Sequence, residues 1–217
     1  MKKYFNLYVI LGITFFVLFC LLVILLSVDK RVITLSGKEV GLSHLNDLVK
    51  YEENKTLDKI SDIFFYFSFV SVAFGIGLGI YQLVKGKSIM MVDSSVVTYG
   101  IFIVFAVAFW LLFDKAIKVN YRPINGNEAS FPSTHIFLTT FFMLSLHNLL
   151  TKVFKNNLVK YLSLCVAVFF IVIVTLFRVL SGMHYITDAM GGLFIGLTFY
   201  FLSFGIAKIF TNNNEEE

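Results

Sequence analysis

Six apolar runs limit what this chain can become: residues 5–27, 60–84, 96–113, 134–150, 158–180 and 189–210. Each comes close to the ~20 apolar residues that a helix needs to cross about 30 Å of hydrocarbon. Water-soluble domains carry roughly 25% charged residues, whereas this chain of 217 carries 15% and is 58% hydrophobic. Too little polar surface remains to cover a soluble fold. The expected fold class is therefore all-α: a polytopic bundle of six transmembrane helices forming one membrane-embedded domain over residues 1–217. An outer loop spans 28–59, and a solvated tail, 211–217, ends in three glutamates.

The first run follows Met1-Lys2-Lys3, exceeds the apolar core of a signal peptide and lacks a small-residue cleavage site, so a retained helix is expected. Lys2, Lys3, Lys85, Lys87, Lys152, Lys155, Lys160 and Lys208 fall on the N-terminal side, mostly in short connections. The opposite side holds more Lys and Arg in total, but six of them sit in the long first loop among a similar number of acids. The positive-inside rule then places both termini in the cytoplasm and the other loops outside a cell membrane. Within residues 28–59, Leu42, Leu45, Leu48 and Val49 have the spacing of a short interfacial helix. Gly192 and Gly196 permit a close helix contact.

Several function classes fall away. Cys20 and Cys165 both lie in apolar runs and suit neither a bridge nor a metal site. The net charge of +4 is spread over loops and ends, without the dense basic patch that nucleic-acid binding requires.

Chemistry-bearing residues gather in three clusters: Lys115-x6-Arg122-Pro123, Pro132-Ser133-Thr134-His135 and Arg178-x5-His184-x3-Asp188. They include both prolines and two of the three arginines, and the six-span order brings all three to one membrane face. Lys115, Arg122 and Arg178 define an anion pocket, because guanidinium forks match the oxygens of a phosphoryl group. Ser133 precedes a helix, so its hydroxyl and the amides of Ser133, Thr134 and His135 offer a phosphate-attracting N-terminus. His184 and Asp188 are four apart and share a helical face, which suits a nucleophilic imidazole with its orienting carboxylate. His135, on another loop, is placed to act as general acid toward the leaving oxygen.

Plainer readings apply to isolated residues. His44 and His147 are ordinary interfacial histidines, and 12 residues separate His147 from His135, about 18 Å along a helix. Lys115 or Arg122 alone reads as an interfacial anchor, and Arg178 alone pairs with Asp62 or Asp188. Two histidines and an aspartate also suit zinc, but three neighbouring cations repel a divalent ion and replace it beside a phosphate. Neither a metal nor another cofactor is expected.

The three clusters resemble the signature of the type 2 phosphatidic-acid phosphatase superfamily, integral-membrane branch: Lys-x6-Arg-Pro, Pro-Ser-x-His and Ser-Arg-x5-His-x3-Asp. The six-span order is similar to that of the bacterial lipid phosphatases. The resemblance implies a phosphohistidine on His184, with Asp188 as its partner and His135 as the acid. It also implies phosphate ligands at Lys115, Arg122, Ser133, Thr134 and Arg178, without metal. Thr134 stands where glycine is usual, and Phe177 stands where the third motif usually has serine; altered selectivity is the expected result. The expected function is hydrolysis of a lipid phosphate or pyrophosphate at the outer face. By resemblance the substrates are undecaprenyl pyrophosphate, phosphatidylglycerol phosphate or phosphatidate, with membrane lipids as the surroundings and no nucleic-acid partner. The alternatives are a lipid phosphotransferase using the same histidine, or a non-catalytic transporter or scaffold. Ionisable residues confined to one face weigh against a transporter.

Overall fold

The structure, a computed structural model, describes residues 6–28, 45–46, 49–124 and 128–214. Lys2, Lys3, Leu42, His44, Leu48 and the end of the acidic tail lie outside the described residues. The helices are α1 (Leu7–Val28), α2 (Lys55–Ser68), α3 (Val70–Gly86), α4 (Ser94–Leu111), α5 (Thr134–Phe154), α6 (Asn157–Leu180) and α7 (Ile186–Asn214). Helices α2 and α3 form one continuous span, so among the described residues six helical spans are long and apolar enough to cross a membrane. The chain is a multi-pass membrane protein of the expected all-helical class. Among the described residues the extended backbone contributes one isolated antiparallel bridge, Tyr121 to Ala129.

Local sequence sets the helix starts. Asn54, Asp93 and Asn156 each stand before a helix and accept first-turn amide hydrogens, at 3.1 Å from Leu57, 2.7 Å from Ser95 and 2.7 Å from Leu158 respectively. These caps satisfy donors that otherwise have no helical partner. The Asn54 cap starts the second span at Lys55, five residues ahead of the apolar run that begins at 60. The added turn is polar, carrying Lys55, Asp58 and Lys59, which is why hydropathy alone omits it.

Helix α7 packs on α1, α4 and α5, while α5 also meets α6 and α2. Phe199 of α7 sits among rings of α4 and α5, with centroids 5.8 Å from Phe109 and 5.1 Å from Phe137 in edge-on geometry, a favoured aromatic arrangement. At Gly192 a Cβ would lie 2.7 Å from the Ser133 carbonyl oxygen, so only glycine admits this approach of α7 to the start of α5. On the perimeter, Ile24, Val84, Val104 and Leu158 point outward, as side chains facing lipid do. The alternating direction of the spans brings the starts of α2, α5 and α7 and the ends of α4 and α6 together. The opposite end is closed by Lys152, which bonds Asp93 at 3.0 Å and also Ser95.

Candidate active site

The connection between α4 and α5 is a small folded unit. Arg122 N donates to Glu128 O at 3.0 Å and Ser130 N to Asn120 O at 2.9 Å, forming a short ladder around the Tyr121–Ala129 bridge. Phe131, buried and followed by a cis bond to Pro132, stacks on Phe19 at 5.6 Å and fixes this unit to the bundle. The loop tip, 125–127, lies outside the described residues. The turn after α6 is fixed as well. Gly182 adopts φ +73, and a Cβ there would lie 2.7 Å from Tyr51 O and from Ile124 Cδ1. Asn54 N donates to Ser181 O at 3.1 Å, tying the start of α2 to the same turn.

His184 is buried in this turn. Its Nδ1 lies 3.2 Å from Ser130 Oγ, and Ser130 also hydrogen-bonds to Asp188 Oδ2. A carboxylate only accepts, so the single hydroxyl proton of Ser130 goes to Asp188, and the Ser130 oxygen accepts from His184 Nδ1–H. Nε2 therefore carries the lone pair, and Arg178 Nη2 donates to it at 3.3 Å. Sequence spacing predicts a direct contact of Asp188 with His184, but the two are 3.8 Å apart with Ser130 bridging them. Asp188 also accepts from Tyr185 N at 2.9 Å and Asn120 Nδ2 at 3.4 Å. Burial is the main cause that pushes the His184 imidazole down to about 4 despite the adjacent carboxylate, so the ring is neutral near pH 7.

Arg178, only 3% exposed, bonds Asp58 at 2.5 Å and Asp62 at 3.3 Å through Nη1. His135 Nε2 lies 3.0 Å from the same Asp62 oxygen, and its ring rests 4.2 Å from that of Phe65. Arg122 reaches Glu128 at 3.2 Å through Nη1. Among the described residues, three buried polar atoms close to this centre have no hydrogen-bond partner: Arg122 Nε, Arg178 Nε and Ser133 Oγ. The Ser133 amide is already used, donating to Asp188 O at 3.0 Å. A cavity of about 400 Å³ opens beside these groups, with Arg122, Ser130, Thr134, His135 and His184 on its polar side. Its other wall is formed by Phe65, Tyr66, Phe69, Trp110 and Leu138.

The structure thus gathers Arg122, Ser133, Thr134, His135, Arg178, His184 and Asp188. Lys115 stands apart: it is exposed and paired with Asp114 at 2.7 Å, and it is Asp114 that faces the cavity. Both lie in the π-helical turn Leu112–Ala116, where the Lys115 side chain is 77% exposed and that of Asp114 37%. Sequence reasoning missed Asp58, Asn120 and Ser130, and named Asp62 only as an alternative partner of Arg178. The Asn54 cap was the available pointer to the two aspartates; Asn120 and Ser130, in an irregular loop, had none. Among the described residues no three His, Cys, Asp or Glu side chains converge as metal ligands.

Fold and site together define an integral-membrane protein with a buried polar centre beside a cavity walled by aromatic side chains. The family model of the PAP2 superfamily matches residues 9–211, so the chain belongs to that superfamily and is a phosphatase, a hydrolase. Among solved structures it is similar to one described as the first transmembrane PAP2-type phosphatidylglycerolphosphate phosphatase, from Bacillus subtilis. That likeness has a TM-score of 0.60 and 17% identity, and covers 90% of this chain and 94% of the other. A comparison with curated protein sequences gives no match.

Proposed function

We propose that this single-domain protein hydrolyses a lipid phosphate or pyrophosphate through a phosphohistidine on His184, at the outer face of a cell membrane with both termini in the cytoplasm. The observation that carries this reading is the buried, neutral His184 with its Nε2 lone pair free of a proton, on the wall of a cavity that Arg122 also lines, with Arg178 hydrogen-bonded to the same ring. In the first step Nε2 attacks phosphorus, the N–P bond forms, and the P–O bond to the lipid breaks with its electron pair leaving on oxygen. His135 gives that oxygen a proton. The phosphorylated ring gains positive charge, which the Ser130–Asp188 pair stabilises through Nδ1–H. Water then gives a proton to His135 and attacks phosphorus, and the P–N pair returns to Nε2 as phosphate departs. Arg122, Ser133, Thr134 and Arg178 hold the phosphoryl oxygens; Lys115 joins them only by leaving Asp114.

The aromatic wall of the cavity supports a lipid substrate, since it offers apolar contact to the chain next to the phosphate. The description of the Bacillus subtilis structure makes phosphatidylglycerol phosphate the first substrate to test, followed by undecaprenyl pyrophosphate and phosphatidate. The deciding assay is phosphate release by purified protein from this panel, with His184→Ala as the comparison. Release that disappears in a folded His184→Ala variant and survives chelators supports the reading. Retained release by that variant refutes the nucleophile assignment.

A further inference from the structure

We infer that Asp62, outside all three sequence clusters, is the positioning residue that fixes the tautomer of His135 and balances its charge as a general acid. The inference rests on the phosphatase reading above. Asp58 and Asp62 are four apart at the start of α2, on one helical face, and that face is held against the site by the Asn54–Ser181 backbone bond of 3.1 Å. Their roles separate by distance. Arg178 Nη1 is 2.5 Å from Asp58 but 3.3 Å from Asp62, whereas His135 Nε2 is 3.0 Å from Asp62.

The consequence is chemical. A carboxylate accepts and does not donate, so it holds the Nε2–H form of His135. The proton that goes to the leaving oxygen then comes from Nδ1, and the positive ring that carries it is paired with the Asp62 charge. Removing Asp62 leaves Arg178 its closer carboxylate, Asp58, but takes from His135 its ion-pair partner. The damage therefore falls on protonation of the leaving group, with little effect on retention of phosphate.

The test compares two substrates that differ in their need for that proton: phosphatidylglycerol phosphate, with an alkyl alcohol leaving group, and p-nitrophenyl phosphate, whose leaving group departs readily as an anion. Asp62→Asn is expected to lower kcat on the lipid by roughly tenfold or more, part of the 10²–10⁴ that general acids contribute. On the aryl phosphate it is expected to change kcat only slightly. Asp62→Glu restores part of the lipid rate. Asp62→Asn in a His135→Ala background causes no further loss, because two members of one unit are not additive. Equal losses on both substrates, or full additivity with His135→Ala, overturn the assignment. Should Asp62→Asn not fold, Asp62→Glu carries the same two-substrate comparison. A wild-type protein inert toward both substrates ends the phosphatase reading itself, an outcome distinct from equal losses in an active enzyme.

Discussion

Replacing Ser130 with alanine isolates one hydroxyl between the proposed nucleophile and its carboxylate. Ser130 is 2% exposed, with Oγ 3.2 Å from His184 Nδ1 and bonded to Asp188 Oδ2. In the alanine variant Asp188 keeps the Tyr185 amide at 2.9 Å and the Asn120 amide at 3.4 Å, so the carboxylate is not orphaned. His184 is affected more, because 3.8 Å to Asp188 exceeds hydrogen-bond range. Its Nδ1–H loses a partner as phosphorylation makes the ring positive, and the competing Nε2–H tautomer cannot attack. A hydrogen bond to a charged group contributes about 1.5–3 kcal/mol, which corresponds to roughly a 10- to 150-fold fall in kcat. KM is expected to change little, since Ser130 acts through the ring. Initial rates of phosphate release in detergent, with the melting transition followed in parallel, measure both. A folded Ser130→Ala protein with wild-type kcat refutes the bridged arrangement and means that Asp188 closes the gap directly.

Four further perturbations test other parts of the structure. His184 carries a proton in the unfolded chain below its ordinary value near 6.5, but in the native state only below about 4. Stability therefore falls as pH drops from the first value toward the second, and imidazole ¹⁵N shifts are expected to report a neutral Nδ1–H ring at pH 6; a ring protonated there contradicts the buried geometry. Arg122→Lys replaces a fork whose Nε is unpaired by a point charge and is expected to cost about tenfold or more in kcat/KM. Lys115→Ala is expected to cost far less, since Lys115 is exposed and held by Asp114; equal losses in the two variants mean that Lys115 swings onto the substrate. Gly192→Ala forces a Cβ to 2.7 Å from the Ser133 carbonyl and is expected to destabilise by about 1–3 kcal/mol, read as a lower melting temperature; an unchanged transition shows that α5 and α7 separate freely.

The spans were legible because a bilayer imposes a length and an apolar composition, a requirement that acts over twenty residues and survives local irregularity. The site clusters were legible because prolines, arginines and histidines are expensive near hydrocarbon and rare in this chain. Asp58 was not, because the apolar run begins at residue 60 and leaves out the charged turn before it; Asp62, just inside that run, could be named as a partner of Arg178, but nothing in its spacing ties it to His135. The helix continues to Lys55 since Asn54 caps it and the acids find partners in Arg178 and His135. Ser130 escaped notice for another reason. Its role depends on a two-rung ladder with Asn120 and Glu128 that no periodicity announces. The orientation of Lys115 likewise depends on a π turn at the end of α4, which adds a residue to the turn and has no distinctive composition.

The charge pattern bears on how such a site selects its ligand. Arg122 and Arg178 are each engaged through Nη1, by Glu128 in one case and by Asp58 and Asp62 in the other. Each arginine keeps its Nε buried and, among the described residues, unpaired. With acids so close, the site is not a broad cationic sink that captures any anion from solution. Its donors are instead fixed in direction before the substrate arrives, and they favour a phosphorus centre whose oxygens move toward them during transfer. Apolar contact along Phe65, Tyr66, Phe69 and Trp110 binds ground state and transition state alike. That contact lowers KM without raising kcat, whereas the oriented donors act on kcat. A short-chain substrate of the same headgroup is therefore expected to show a raised KM with kcat nearly preserved, and a collapse of kcat on shortening the chain contradicts this division of roles.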